Sequence, residues 1–150
     1  MSNIKLNKIF KTACIASDHA GYKLKEDIKN YLIDKQMSVF DVGPYNNNSV
    51  DYPDYAKKLG NRIKLKKSDV GILVCGSGTG MAISANKIKT IRAAVCYNMK
   101  STRLSRQHNN ANIIALGSRL TKKNLSLKLV EAFFKTKFEA GRHLRRVKKI

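Results

Sequence analysis

Val70-Gly71-Ile72-Leu73-Val74, running straight into Cys75-Gly76-Ser77-Gly78-Thr79-Gly80, is the stretch that decides the fold. The apolar, partly β-branched run predicts a buried strand. Alternating glycines close it, and Met81, Ile83, Ala85 and Ile88 then predict a helix. Strand, glycine-rich turn and helix together make half of a βαβ unit. Working outward, the same alternation repeats. Upstream lie strands at Ala13-Cys14-Ile15-Ala16 and Val39-Phe40-Asp41-Val42. A helix follows each, carried by Leu24, Ile28, Tyr31 and Leu32, and by Tyr55, Ala56, Leu59 and Ile63. Downstream, Ala93 to Cys96 and Ala111 to Leu116 read as strands separated by a polar helix that ends near Gln107. Leu125, Leu129, Val130, Phe133 and Phe134 give the last long helix, and a basic tail follows Gly141. Five strands alternating with helices predict an α/β fold: a three-layer α/β/α sandwich around a five-stranded parallel, Rossmann-like sheet.

Composition narrows the function. A chain of 150 residues with 43% hydrophobic residues suits one domain with a real core. No apolar run approaches the length of a membrane span. Met1 to Lys11 is basic but lacks the apolar stretch of a secretory signal. Cys14, Cys75 and Cys96 are an odd set without a close pair. That argues against a disulfide framework or a zinc site and for a reducing, cytoplasmic setting. The net charge of +20 raises non-specific nucleic-acid binding as a reading from another class. No helix-turn-helix, zinc or aromatic RNA-binding signature accompanies it, and there is no Trp, so a specific nucleic-acid partner is not expected.

In open parallel sheets, ligands sit beyond the carboxyl ends of the strands. That rule selects the loops beginning at Asp18-His19, Cys75, Tyr97-Asn98 and Gly117-Ser118-Arg119. The Cys75–Gly80 segment lets backbone N–H groups approach an anion or a developing oxyanion. It is neither a Walker loop nor the dinucleotide fingerprint, whose third glycine would come one residue later. A tight turn without a ligand has the same spacing. A helix N-terminus favours a thiolate, so Cys75 is a candidate base or nucleophile, while Cys14 and Cys96 read as core residues. Asp18 and His19 pair an acid with an imidazole, although Asp18 also suits a helix cap. His108 falls in an Asn-rich turn at the end of the fifth strand remote from Arg119. Arg142 and Arg146 stand four apart and would share a helical face. A solvated basic tail is the plain alternative, as it is for the six basic residues of Lys57–Lys67.

Six segments, in order, carry a resemblance. They are Ser17-Asp18-His19-Ala20-Gly21, Asp51-Tyr52-Pro53, Cys75 to Gly80 with Ala85-Asn86-Lys87, Ser105-Arg106-Gln107-His108-Asn109, Gly117-Ser118-Arg119 and Gly141-Arg142-His143. Together the chain resembles the sugar-phosphate isomerase family that holds type B ribose-5-phosphate isomerase and galactose-6-phosphate isomerase. The resemblance runs from about Thr12 to Val147. It leaves residues 1–11 as a basic N-terminal extension and 12–150 as a single isomerase domain.

The resemblance implies an aldose–ketose isomerase acting on ribose 5-phosphate and ribulose 5-phosphate through an enediolate, in the pentose phosphate pathway. It implies no metal and no organic cofactor. It also implies a homodimer, or a tetramer made of two such dimers, with sites at the subunit interface. A six-carbon sugar phosphate, allose or galactose 6-phosphate, is the alternative substrate. By resemblance Cys75 is the general base; relatives that instead use a Glu just after the loop differ here, where Met81 holds that place. Ser77 matches a hydroxyl that assists proton movement, and the N–H groups of Gly76, Gly78, Thr79 and Gly80 would hold the enediolate oxygen. His108 matches the ring-opening residue. Asp18, Tyr52 and Asn109 match sugar contacts. His19, Arg119, Arg142 and Arg146 match the phosphate set, for which guanidinium forks are suited. Asn110 stands where many relatives have Asp.

Overall fold

Strand side chains alternate between two faces, so a strand buried on both sides must be apolar at every position. β1 (Thr12–Ser17), apolar from Ala13 to Ala16, and β3 (Val70–Cys75) and β5 (Ile113–Gly117), apolar throughout, form the centre of the sheet in the computed structural model. β2 (Ser38–Gly43) and the three-residue β4 (Ala93–Val95) take the edges. All pairings are parallel, and the order is β2-β1-β3-β5-β4. The structure describes Leu6 and residues 9–150.

Among the described residues there are also six helices, α1 (Tyr22–Asp34), α2 (Tyr52–Lys64), α3 (Thr79–Asn86), α4 (Met99–Asn109), α5 (Lys123–Lys135) and α6 (Gly141–Val147). On one face, Ile15, Ile72 and Ile114 pack against Ile28 and Leu32 of α1 and Phe133 and Phe134 of α5. On the other, Cys14, Leu73 and Ile113 pack against Leu59 of α2 and Met81 of α3. Each fully buried aromatic or branched side chain contributes about 1.5–3 kcal/mol. The three-layer arrangement expected from the sequence is therefore present, with alternate residues of one strand serving opposite layers.

Several details differ from the sequence reading. β5 starts at Ile113, not Ala111, because Asn112 turns aside: its Oδ1 accepts from the Arg92 N–H at 2.8 Å. Ile83 and Leu125 face outward on their helices. His108 and Asn109 lie in the last turn of α4, which ends at a left-handed Asn110 (φ 47°). Asn tolerates that conformation as a cap. The basic tail is partly a helix, α6. The basic N-terminal extension lies mostly outside the described residues. Within it, Leu6 is buried in the core, and the Phe10 ring meets Phe134 edge-on at 5.9 Å.

Candidate functional site

The chain order places a switch point between β1 and β3. From β1 the chain moves outward to β2, then returns to the other side of β1 to form β3. Loops leaving such neighbours diverge and open a crevice at the carboxyl end. Asp18 leaves β1 and Cys75 ends β3 at this point. The Asp18 N–H donates to the Val74 carbonyl (3.1 Å), drawing the two loops together. Gly21 follows, and a Cβ there would lie 2.2 Å from the Val74 oxygen. Only glycine permits that approach. Asp18 Oδ1 accepts from the Gly21 N–H (2.9 Å), so this carboxylate also ties off its own turn.

Cys75 Sγ accepts from the Gly78 N–H at 3.0 Å, just where α3 begins. Gly78 reaches this position with φ 79° and its Cα against the Leu116 backbone. The sulfur thus faces a backbone donor at the start of a helix. All three thiols are buried, but among them only Cys75 borders the cleft described below. Burial pushes Cys14 up to about 12, outweighing a Ser68 hydrogen bond and the Arg62 charge. Burial also raises Cys96, against hydrogen bonds with Thr102 and Ser105. Both belong to the core, as the sequence reading expected.

Around Cys75 lies a cleft of about 530 Å³, floored by Gly76, Ser77, Thr79 and Gly80 and walled by Asp18, Tyr52 and Arg119. The Tyr52 ring lies on Gly80, where a Cβ would meet it at 2.8 Å. The Arg119 guanidinium lies over Gly76, with Nη1 3.0 Å from a Cβ built there. Arg119 is placed by its own N–H, which donates to the Gly76 carbonyl (3.0 Å). Ser118 Oγ donates to the Ala20 carbonyl (2.8 Å), fastening the β5 loop to the β1 loop. His19 is exposed nearby. Its Nδ1 accepts from the Val50 N–H (3.3 Å), which leaves Nε2 to carry a proton outward. The cleft's rim includes exposed Ile83, which the sequence marks only as an apolar helix position, and Leu120. No local pattern marks them as rim residues, because only the folded loops bring them to one rim.

His108, Asn109, Arg142 and Arg146 are not in this cleft. They sit on α4 and α6, beside the amino end of β5. β5 alone separates the two ends by roughly 15 Å. The sequence reading placed His108 there, and the structure agrees. His108 is stacked on His143, and Glu139 lies beside both. A larger depression of about 700 Å³ also lies near this end, lined by Phe10, Asp69 and Arg106. Its polar groups serve the fold: Asp69 accepts from the Lys11 and Thr12 N–H groups, and Arg106 donates to the Thr136 and Ala111 carbonyls. The smaller cleft holds the uncommitted chemistry.

Comparison with known proteins agrees with this geometry. A family model described as ribose/galactose isomerase matches residues 13–150. Ribose-5-phosphate isomerase B of Escherichia coli K12 is 39% identical over 140 residues, covering 93% of this chain and 94% of that protein. Among solved structures, a ribose 5-phosphate isomerase of Thermotoga maritima superimposes with TM-score 0.91 at 50% identity, covering 92% of this chain and 95% of the other. Ribose-5-phosphate isomerase B of Mycoplasma genitalium, solved with bound ribulose-5-phosphate, gives 0.87 at 43% identity, with 92% of each chain covered. With the matched region spanning both the cleft and the His108 end, the chain belongs to the ribose/galactose isomerase family.

Proposed function

We propose that this protein interconverts D-ribose 5-phosphate and D-ribulose 5-phosphate. The observation that carries the proposal is the position of Cys75: a thiol at the β1/β3 switch point, beside the amides of a glycine loop and across from Asp18 and Arg119. Isomerisation needs one base that takes a proton from C2 and returns it to C1, and a cradle for the enediolate oxygen. Cys75 is that base. The N–H groups of Gly76 to Gly80 are the cradle. Ser77 assists the accompanying transfer of a proton from the C2 hydroxyl to the C1 oxygen. The aldehyde at C1 thereby becomes a hydroxyl as C2 becomes a ketone.

Ring opening precedes this step. His108 gives a proton to the ring oxygen as the C1–O bond breaks and the anomeric hydroxyl loses its proton. Asp18, Tyr52 and Asn109 bind sugar hydroxyls. His19, Arg119, Arg142 and Arg146 hold the phosphate. Because Cys75 and His108 lie at opposite ends of one chain, the active unit is a homodimer. Each cleft then receives His108, Asn109, Arg142 and Arg146 from a second copy. The three free cysteines suit a reducing compartment, and we place the enzyme in the cytoplasm.

The test is a coupled assay on the purified protein. Equilibration of the two pentose phosphates is the expected result. Cys75→Ala should keep the fold and lose turnover; unchanged turnover would remove Cys75 from the mechanism. Allose 6-phosphate and galactose 6-phosphate serve as competitors, and preferential turnover of either would reassign the substrate to six carbons.

A further inference from the structure

His108 does not stand alone at its end of the sheet. Its ring stacks on His143 with centroids 4.2 Å apart and planes 14° from parallel. Glu139 places one carboxylate oxygen 4.0 Å from His108 Nε2 and 3.8 Å from His143 Nε2. The two segments are pinned where the Glu139 N–H donates to the Gln107 carbonyl at 3.0 Å. The His143 side chain is 11% exposed, against 39% for His108. One ring is thus the packed platform and the other the accessible face.

The trio is not a built metal site. An imidazole binds an ion along a lone pair in its own plane. Two nearly parallel rings 4.2 Å apart aim those lone pairs side by side rather than at one point. The arrangement is instead a ring stack with one carboxylate at its edge. Desolvation, followed by the charges of His108, Arg142 and Arg146, holds His143 below its ordinary value, with Glu139 opposing.

We infer that His143 and Glu139 are positioning residues for His108: the stacked ring fixes its plane, and the carboxylate beside both Nε2 atoms fixes which way its edge faces. This rests on the reading of His108 as the ring-opening acid. A long side chain at the end of a helix samples several rotamers when free. Confining it to one plane raises the fraction of encounters with the ring oxygen in line. The effect belongs in kcat, because His143 touches His108 rather than substrate.

A double-mutant cycle tests this. His143→Ala should lower kcat for ribose 5-phosphate about tenfold with KM changed less than about twofold. His143→Phe, which keeps a ring to stack on, should recover to within about threefold of the parent. Glu139→Gln should lower kcat about threefold. Added to His108→Asn, His143→Ala should cause no further loss, because a positioning residue has nothing left to position. Additive losses, a defect confined to KM, or a Phe variant as poor as Ala would overturn the inference. Full turnover by His108→Asn would instead overturn the ring-opening reading beneath it.

Discussion

The carboxyl and amino ends of the sheet are built differently. At the carboxyl end the chain fixes its own chemistry. Asp18 is held by Gly21 and Val74, Cys75 by Gly78, and Arg119 by Gly76. Buried Lys25 strengthens this end, bonding both Asp41 oxygens and the Pro44 carbonyl, each at 2.8 Å. At the amino end, Arg142 and Arg146 project exposed from the short helix α6, and α6 buries no residue. One half-site is complete within a chain. The other presents cations and an imidazole outward. Such a division makes sense if the second half-site works in another copy of the molecule.

The contrast breaks most sharply at Cys75. Cys75→Ala should lower kcat by about 10²–10⁴-fold, the range for a general base, while its melting temperature stays within a few degrees. A loss of fold instead would mean that Cys75 belongs with Cys14 and Cys96. Arg142→Ala comes next. Losing a charge-assisted contact to phosphate should raise KM about 10–100-fold and move stability little, which kinetics and a melting curve separate. Lys25→Met should do the reverse. It removes the buried partner of Asp41, which keeps Lys29 and the Gly43 N–H, and leaves the Pro44 carbonyl unpaired; the cost should be about 1–3 kcal/mol by denaturant titration, with any lost activity following the lost fold.

Acid offers a milder probe of the same end. Burial pushes Asp41 upward, but hydrogen bonds from Lys25 and Lys29 outweigh it and hold the carboxyl below its ordinary value. Its stabilisation is therefore complete above the unfolded value near ~4 and is lost as pH falls further. Unfolding followed at acid pH should show that loss in the parent and not in Asp41→Asn. Arg145→Ala, an exposed neighbour of the proposed phosphate ligands, should change kcat and KM less than about twofold.

The fold was legible because its signals are local. Short apolar strands, a glycine loop and amphipathic helices each declare themselves within a dozen residues. Asp18, Cys75 and Arg119 could be placed together because parallel sheets put strand ends on one edge. Long-range pairing was not legible. Lys25 reads as part of a solvated helical face, and only Asp41, on the neighbouring β2, explains its burial. Ile83 fits the apolar spacing of its helix yet borders the cleft, where an outward residue is useful. Glu139 stands four residues before His143, a spacing that hints at contact. Its approach to His108 depends on α4 and α6 meeting, which no local pattern reveals. Most of the positive charge remains an exposed lysine surface suited to long-range attraction of anions, an effect that salt weakens.

The division of the site between two copies is the central claim, and subunit complementation tests it most directly. Cys75→Ala and His108→Asn, each with only a small residual turnover alone, would be unfolded together, refolded as a mixture and assayed for ribose 5-phosphate isomerisation. Random pairing makes about half the dimers mixed, and each mixed dimer has one intact site of two, so about a quarter of parental activity should return. A mixture as inactive as its components, with mixed dimers demonstrated, would mean that Cys75 and His108 act within one chain and would contradict the account.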